Sequence, residues 1–291
     1  MGRSALWRDG WPFSKWPNVP YQLNRNSPQA RGLVGWWPTT GIGLGTDPAL
    51  KDRSGHGYDM TTHNTPTVVT DGRMGRAVLL SGTDQHLQLP DAALNLTTAL
   101  TLSCWAYVIG NNQQSDNQRL FSRWDDPNKQ YLMLLNRSNA TDYRLYGYVH
   151  NGATVGTGGG AVNLYQAWHL LVVTYDNVNV RAYTDGLADG TAGAAAGPLT
   201  SESIITRIGC YFDVGYFQEA HAYLADARIY NRALTDQEVL DLYRNPWELY
   251  EPVIRWWAGY TGGGTPVVPD WPGGYRRVAV GVGAGVLTVD R

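Results

Sequence analysis

Carboxylates come first among the residues that could do chemistry. Hydrolysis of a glycosidic bond needs two of them, about 5 Å apart when the enzyme retains configuration. The chain has only five glutamates, Glu202, Glu219, Glu238, Glu248 and Glu251. Glu238, three residues after Thr235, is accounted for as a helix cap. Asp125 and Asp126 are neighbours at a strand end, so their side chains diverge, and Pro127 marks the place as loop. Nucleophiles fare no better. No Gly-x-Ser-x-Gly elbow occurs, and Cys104 has no activating base beside it in sequence. The histidines, at 56, 63, 86, 150, 169 and 221, show neither an HExxH pattern nor a zinc-ligand spacing. GTGGGA near residue 157 lacks the Lys-Ser/Thr and the helix of a phosphate loop. The residues describe a protein without catalytic machinery.

Aromatic residues offer binding chemistry instead. In Tyr143 to His150 the alternation puts Leu145, Gly147 and Val149 on one face of a strand. Arg144, Tyr146, Tyr148 and His150 line the other, where flat rings could stack on sugar rings. In Thr101 to Val108, Leu102, Cys104, Ala106 and Val108 form an apolar face, and Trp105 and Tyr107 on the opposite face could join the same platform. The competing reading is that these faces are covered by the chain's own ends or by a partner.

Composition suits short strands and many turns. Charged residues make up 16%, while the 291 residues include 34 Gly, 18 Tyr and 12 Trp. A formal net charge of -2 gives no electrostatic case for nucleic acid as a partner. No apolar run approaches membrane-spanning length, and no basic patch faces a membrane. The first residues, MGRSALWRDGW, hold no apolar core of a secretory signal, and Leu6 stands where a myristoylation motif wants Ser or Thr. Cys104 and Cys210 both sit in strand-like runs and read as small buried residues rather than a disulfide.

The elements that must position these groups are mostly strands. Short β-rich runs cover 32–37, 76–80, 86–89, 120–124, 131–135 and 204–212, with polar loops expected at 110–118 and 125–130. Trp168 to Asp176 and Val180 to Gly186 form a hairpin turned at Asp176-Asn177. The best-defined stretch is His221 to Pro246. Its strand, Ala222 to Tyr230, is predicted to put Tyr223, Ala225, Ala227 and Ile229 on one face. Thr235 is an N-cap, Glu238 completes a capping box, and Leu234 with Val239 can close a hydrophobic staple. The helix carries Val239, Leu242 and Tyr243 as its apolar stripe and stops at Asn245-Pro246. One capped helix in such a chain should flank a β-sandwich.

ADARIYNRALTDQEVLDLY resembles the closing segment of laminin-G-like, concanavalin-A-type jelly-roll domains. GLVGWWP, DRSGHGYDM, GRAVLLSGTDQHLQLP, ALTLSCWAYV, QAWHLLVVTYD and RAYTDGLADG fall in the family's order. The resemblance implies an all-β fold: a two-sheet antiparallel jelly-roll sandwich with one short C-terminal helix and extended N- and C-terminal arms. Many enzymes on that fold carry Glu-x-Asp-x-x-Glu, which is missing here. Calcium is the family's most frequent cofactor, and Asp52 and Asp226 are the matching places, although Ala225 stands where many relatives have an acid. Asp52 as a turn former and Asp226 as the partner of a neighbouring side chain is the plainer reading.

Three regions follow: an arm, 1–31, the sandwich, 32–246, and a second arm, 247–291. The first arm holds Trp7, Trp11 and Trp16 among prolines, and the second holds Trp256, Trp257, Trp271 and Tyr275 with a β-like end, YRRVAVGVGAGVLTV. Aromatics at this density demand burial, so these residues are expected to mediate assembly with other copies or other proteins. RNPWELYEP also resembles phage-encoded members of the family. The sequence-based expectation is a non-catalytic virion structural or decoration protein of a bacteriophage. It would present a lectin-like sandwich, self-associate, bind a cell-surface glycan, and reside in the virion. A secreted or surface glycan-binding module, extracellular, is the alternative, and a glycoside hydrolase or polysaccharide lyase comes third.

Overall fold

The computed structural model describes residues 21–40, 45–46, 50–71, 75–90, 94–110, 116–213 and 216–252. The tryptophans and the tyrosine assigned to assembly, Trp7, Trp11, Trp16, Trp256, Trp257, Trp271 and Tyr275, lie outside them. In chain order the elements begin with β1 (Tyr21–Leu23), β2 (Leu33–Trp37), β3 (Gly45–Thr46), β4 (Thr61–His63), β5 (Thr67–Asp71), β6 (Gly75–Ser81) and β7 (His86–Gln88). The central strands are β8 (Leu100–Val108), β9 (Asn117–Asp125), β10 (Asn128–Asn139), β11 (Asp142–His150), β12 (Thr154–Gly156), β13 (Trp168–Tyr175) and β14 (Asn179–Thr184). Shorter pieces follow as β15 (Leu187–Ala188), β16 (Gly193–Ala194), β17 (Arg207–Ile208), β18 (Cys210–Asp213) and β19 (Tyr216–Glu219). The chain closes with β20 (His221–Tyr230), α1 (Asp236–Arg244) and β21 (Tyr250–Pro252).

Two antiparallel sheets stack face to face. One has seven strands in the order β12-β11-β10-β9-β17-β7-β4. The other has ten, along β15-β14-β13-β8-β20-β6-β5-β3, with β16 added to β14 and β2 to β20. Alternation sends every second side chain between the sheets. Leu102, Cys104, Ala106 and Val108 therefore meet Phe121, Tyr131, Met133, Leu145 and Val149 in one buried core. At Gly147 the sheets approach so closely that a Cβ would stand 2.5 Å from a Val173 methyl, so only glycine fits. Cys104 and Cys210 are free and buried, as the sequence suggested. Where a loop was expected over 125–130, β9 and β10 run nearly the whole way and are joined only through Asp126-Pro127.

The helix forms as its residues dictate. Thr235 accepts the Glu238 backbone N–H while the Glu238 carboxylate accepts the Thr235 N–H, which satisfies two otherwise orphaned donors. Val239 and Leu242 are buried against Trp105 and Leu234 on the outer face of the ten-stranded sheet, each contributing about 2 kcal/mol by leaving water. Tyr243 stacks on Trp105 at 5.9 Å. This is the flanking helix the sequence required.

One alternation broke. The register of β20 against β8 shifts between Ala225 and Arg228, and Asp226 adopts φ +53°. A bulge of this kind adds one residue and reverses which face follows. Tyr223 and Ala225 consequently join the helix-side layer, whereas Ala227 and Ile229 face the core. The four residues predicted to share a face are split two and two.

The fold also takes in residues outside 32–246. β1 pairs with β21, Tyr21 opposite Pro252. The Gln29 side chain donates to the carbonyls of Asp241 (3.3 Å) and Asn245 (2.9 Å) and accepts from Arg228 (3.2 Å). An arm boundary at 31/32 therefore falls inside packed structure. These residues cap the outer layer because Trp36 and Tyr250 need a cover, and Tyr21 lies 4.8 Å from Tyr250.

Candidate functional site

The outer face of the seven-stranded sheet carries the arrangement closest to a binding site. Along β11, Tyr143, Leu145, Gly147 and Val149 point inward, and Arg144, Tyr146, Tyr148 and His150 are half-buried on the outside. Tyr148 lies opposite Leu132 and Tyr146 opposite Leu134. Leu132 and Leu134 make a small cluster with Trp124 and Tyr211, against which both tyrosines pack. The Tyr146 and Tyr148 rings lie nearly parallel, 12° apart in plane with centroids 6.3 Å apart. The Trp124 ring meets His150 edge-on at 6.3 Å.

Cations frame this strip. The Arg119 guanidinium lies 5.5 Å from the Tyr211 ring centre, and the Lys129 ammonium 5.8 Å from Trp124. Burial, followed by the neighbouring Tyr146, raises the Tyr148 phenol above its ordinary pKa, so it stays a neutral hydrogen-bonding group. Arg144 is held in place by Asp142 at 2.5 Å and by the Ala161 carbonyl. The result is a row of half-buried rings, Tyr148 lying close against Gly156 and Tyr146 against Gly159, with hydroxyl and guanidinium groups at its margins.

Trp105 and Tyr107 do not belong to this platform. Both sit on β8, in the other sheet, and point away from the core. Trp105 is 2% exposed beneath Tyr243 of the helix. Tyr107 packs with Trp168 and Tyr223, each at 5.8 Å. Alternation within β8 was legible, but which sheet receives the strand is settled by long-range pairing.

The carboxylates matched to calcium are committed to protein donors. Asp52 Oδ1 accepts the backbone N–H groups of Trp36 (3.1 Å) and Ser54 (2.8 Å), and its Oδ2 accepts Ser54 Oγ (2.9 Å) and the Tyr58 N–H (3.1 Å). Asp226 Oδ1 accepts the Trp36 indole at 2.7 Å and the Tyr250 hydroxyl at 3.1 Å, and its other oxygen pairs with Arg228. Each oxygen is already in protein hydrogen bonds, so, against the calcium expectation, Asp52 is a turn former and Asp226 one half of a buried ion pair.

Sequence reasoning missed one carboxylate neighbourhood. Glu219 lies beside Asp84, whose backbone N–H and carboxylate both act on its acidity. Burial pushes the Glu219 acid up to about 7, the Asp84 N–H works against that, and the Asp84 charge adds to it. An acid with a raised pKa beside a second carboxylate is a known catalytic pattern. Glu219 is only 1% exposed, however, and an acid that solvent does not reach cannot protonate a glycosidic oxygen. The sequence hid the pair because the two residues are far apart in the chain.

Comparison with known proteins agrees with this architecture. The model of the concanavalin A-like lectin/glucanases superfamily, laminin G type, matches residues 81–240. The chain belongs to that superfamily. No curated protein matches the sequence significantly. Among solved structures, the binding domain of Paraclostridial Mosquitocidal Protein 1 is similar, with a TM-score of 0.59 and 13% identity over 75% of this chain and 53% of that one. Domain 4 of AbnA, an extracellular arabinanase from Geobacillus stearothermophilus, in complex with arabinotriose, matches at 0.54 and 18% identity over 72% of this chain and 98% of the domain. The receptor binding domain of botulinum neurotoxin C/D mosaic serotype matches at 0.56 and 10% identity over 74% and 51%. The chain spans about half the length of the two toxin domains. At these identities the likeness concerns the fold.

Proposed function

We propose that this chain is a non-catalytic, lectin-like module that binds carbohydrate on the outer face of its seven-stranded sheet. The observation that carries the reading is the near-parallel Tyr146–Tyr148 pair beside Trp124, flanked by Arg119 and His150. Sugar rings present apolar faces for stacking and hydroxyls for guanidinium and phenol groups, which is the chemistry this strip offers. The arabinotriose complex of a similarly folded domain supports it. The enclosure of Glu219 supports a binding role over hydrolysis. Isothermal titration with arabino-oligosaccharides and a wider glycan panel tests the binding. Assays for new reducing ends from laminarin, agar and alginate test the absence of catalysis.

A bacteriophage particle is the location we propose, with the ends of the chain serving assembly with virion proteins and with other copies. The Trp- and Pro-rich ends and the RNPWELYEP segment support it. So does the β1–β21 pairing, because it places the attachment points of residues 1–20 and 253–291 side by side. A secreted or surface lectin is the alternative location. Stoichiometric recovery of the protein in purified particles supports the virion. Recovery only as free secreted protein rejects it.

A further inference from the structure

A second constellation lies at the far edge of the same sheet. β4 is an edge strand that pairs with β7, and the register sets His63 directly opposite His86. Leu87 faces the core, so both histidines project from the outer face, where their rings stack at 4.5 Å. Asp84, in the turn between β6 and β7, reaches back toward them, and its Oδ1 is 3.6 Å from His63 Nε2. One ligand atom from each of the three residues lies within 4.8 Å of the others. We propose that His63, Asp84 and His86 bind one divalent transition-metal ion of the zinc class.

The donor set selects the ion. Two imidazoles and one carboxylate suit zinc and its borderline neighbours, whereas calcium prefers an all-oxygen shell. Tetrahedral coordination would bring the ligand atoms to about 3.3 Å from one another, given bonds of roughly 2.0 Å to nitrogen and oxygen. Side-chain rotation can supply that closure, because His63 and Asp84 are 50% and 45% exposed. The same exposure gives the ion an entry path and leaves the fourth position to water. His86, 3% exposed, is the fixed member.

The loops around the site are already laced together. Asn64 donates to the second Asp84 oxygen, Gln85 donates to the Thr65 carbonyl at 3.3 Å, and the Ser81 N–H donates to the Gln85 amide oxygen at 3.0 Å. Asp84 is held at φ +54°, so its carboxylate has a set direction. The nearby charges are mixed. Glu219 adds an acid next to Asp84, and Arg207 faces His86 but is paired with Asp125 at 2.9 Å. A bound ion would pin an edge strand whose one strand partner among the described residues is β7. The strip's nearest strand, β9, is separated from the β7–β4 edge by β17, so the two proposals can fail separately.

The test uses the full, untagged chain, stripped with a chelator and dialysed, then titrated with Zn2+ while heat, melting temperature and bound metal are measured. One Zn2+ per chain is expected, with a higher melting temperature and no competition from excess Ca2+. Co2+ in its place should show the visible absorption of a tetrahedral imidazole site. His63→Ala and Asp84→Asn change exposed side chains, and each should weaken Zn2+ binding at least about tenfold. Their unchanged apo melting would show that the fold is intact. Less than stoichiometric uptake overturns the proposal, and so does uptake that both variants retain at full affinity. Uptake that moves instead with His150→Ala or His221→Ala assigns the metal elsewhere and also overturns it.

Discussion

Asp226 and Trp36, far apart in the chain, meet in a 2.7 Å hydrogen bond from the indole N–H to Oδ1. The bond exists because the β20 bulge turns Asp226 outward into the layer that Trp36, Tyr250 and Arg228 occupy. The Arg228 side chain is 3% exposed and shares the other Asp226 oxygen. Removing the acid leaves a buried guanidinium without its anion. Asp226→Ala should therefore cost about 3–5 kcal/mol in urea unfolding. Addition of Ca2+ should leave the melting of the unaltered protein unchanged. A loss below about 1 kcal/mol would mean that the pair is not what holds this layer.

The helix cap gives a smaller, local effect. Thr235→Ala removes the acceptor for the Glu238 N–H and should lower stability by about 1 kcal/mol. A thermal midpoint identical to that of the parent protein would show that the capping box contributes nothing.

Glu219 sets a pH dependence whose sign can be worked out. Its folded-state acid titrates at about 7, above the ordinary 4.5. Between those values the native protein holds a proton that the unfolded chain has lost, so stability falls as pH rises through this window. The loss should total about 3 kcal/mol. His86, lowered to about 4 mainly by burial, acts oppositely and destabilises as pH falls below about 6.5. The informative quantity is thus the difference between the parent and Glu219→Gln, measured by denaturant at pH 5 and pH 8 with chelator present. The variant should lack the decline between the two. Parallel behaviour of both proteins would place the Glu219 titration elsewhere.

Gln29 ties the first described segment to the helix end. Gln29→Ala leaves carbonyls of Asp241 and Asn245 and the Arg228 guanidinium each short of a partner, which should cost about 1–3 kcal/mol. Hydrogen exchange should quicken around α1 and β21. Exchange unchanged in both elements would mean that Gln29 does not tie this segment to the helix end.

Local signals carried much of this fold. Thr235, Glu238 and Pro246 marked the helix to within a residue, and the alternation in Tyr143 to His150 was correct. Whatever depended on distant pairing was hidden. Nothing local to Trp105 says that its strand lies beneath the helix. The bulge at Asp226 is a tertiary response, since a non-glycine residue at φ +53° gives no compositional warning. His63 and His86 face each other only through the β4–β7 register, which no motif spacing encodes. The aromatic strip was half legible: Tyr146 and Tyr148 followed from alternation, while Trp124, Tyr211 and Arg119 joined through β9 and the β18 hairpin.

Titration calorimetry with glycans tests the carbohydrate role of the Tyr146–Tyr148 strip most directly. The full chain should bind at least one oligosaccharide class saturably. Tyr146→Ala and Tyr148→Ala should each weaken that binding about tenfold or more, ~1.4 kcal/mol, with melting largely retained. Tyr107→Ala, on the opposite sheet, should bind as the parent does. Full affinity in the double variant Tyr146→Ala, Tyr148→Ala, or no binding across a broad glycan panel, would contradict the account.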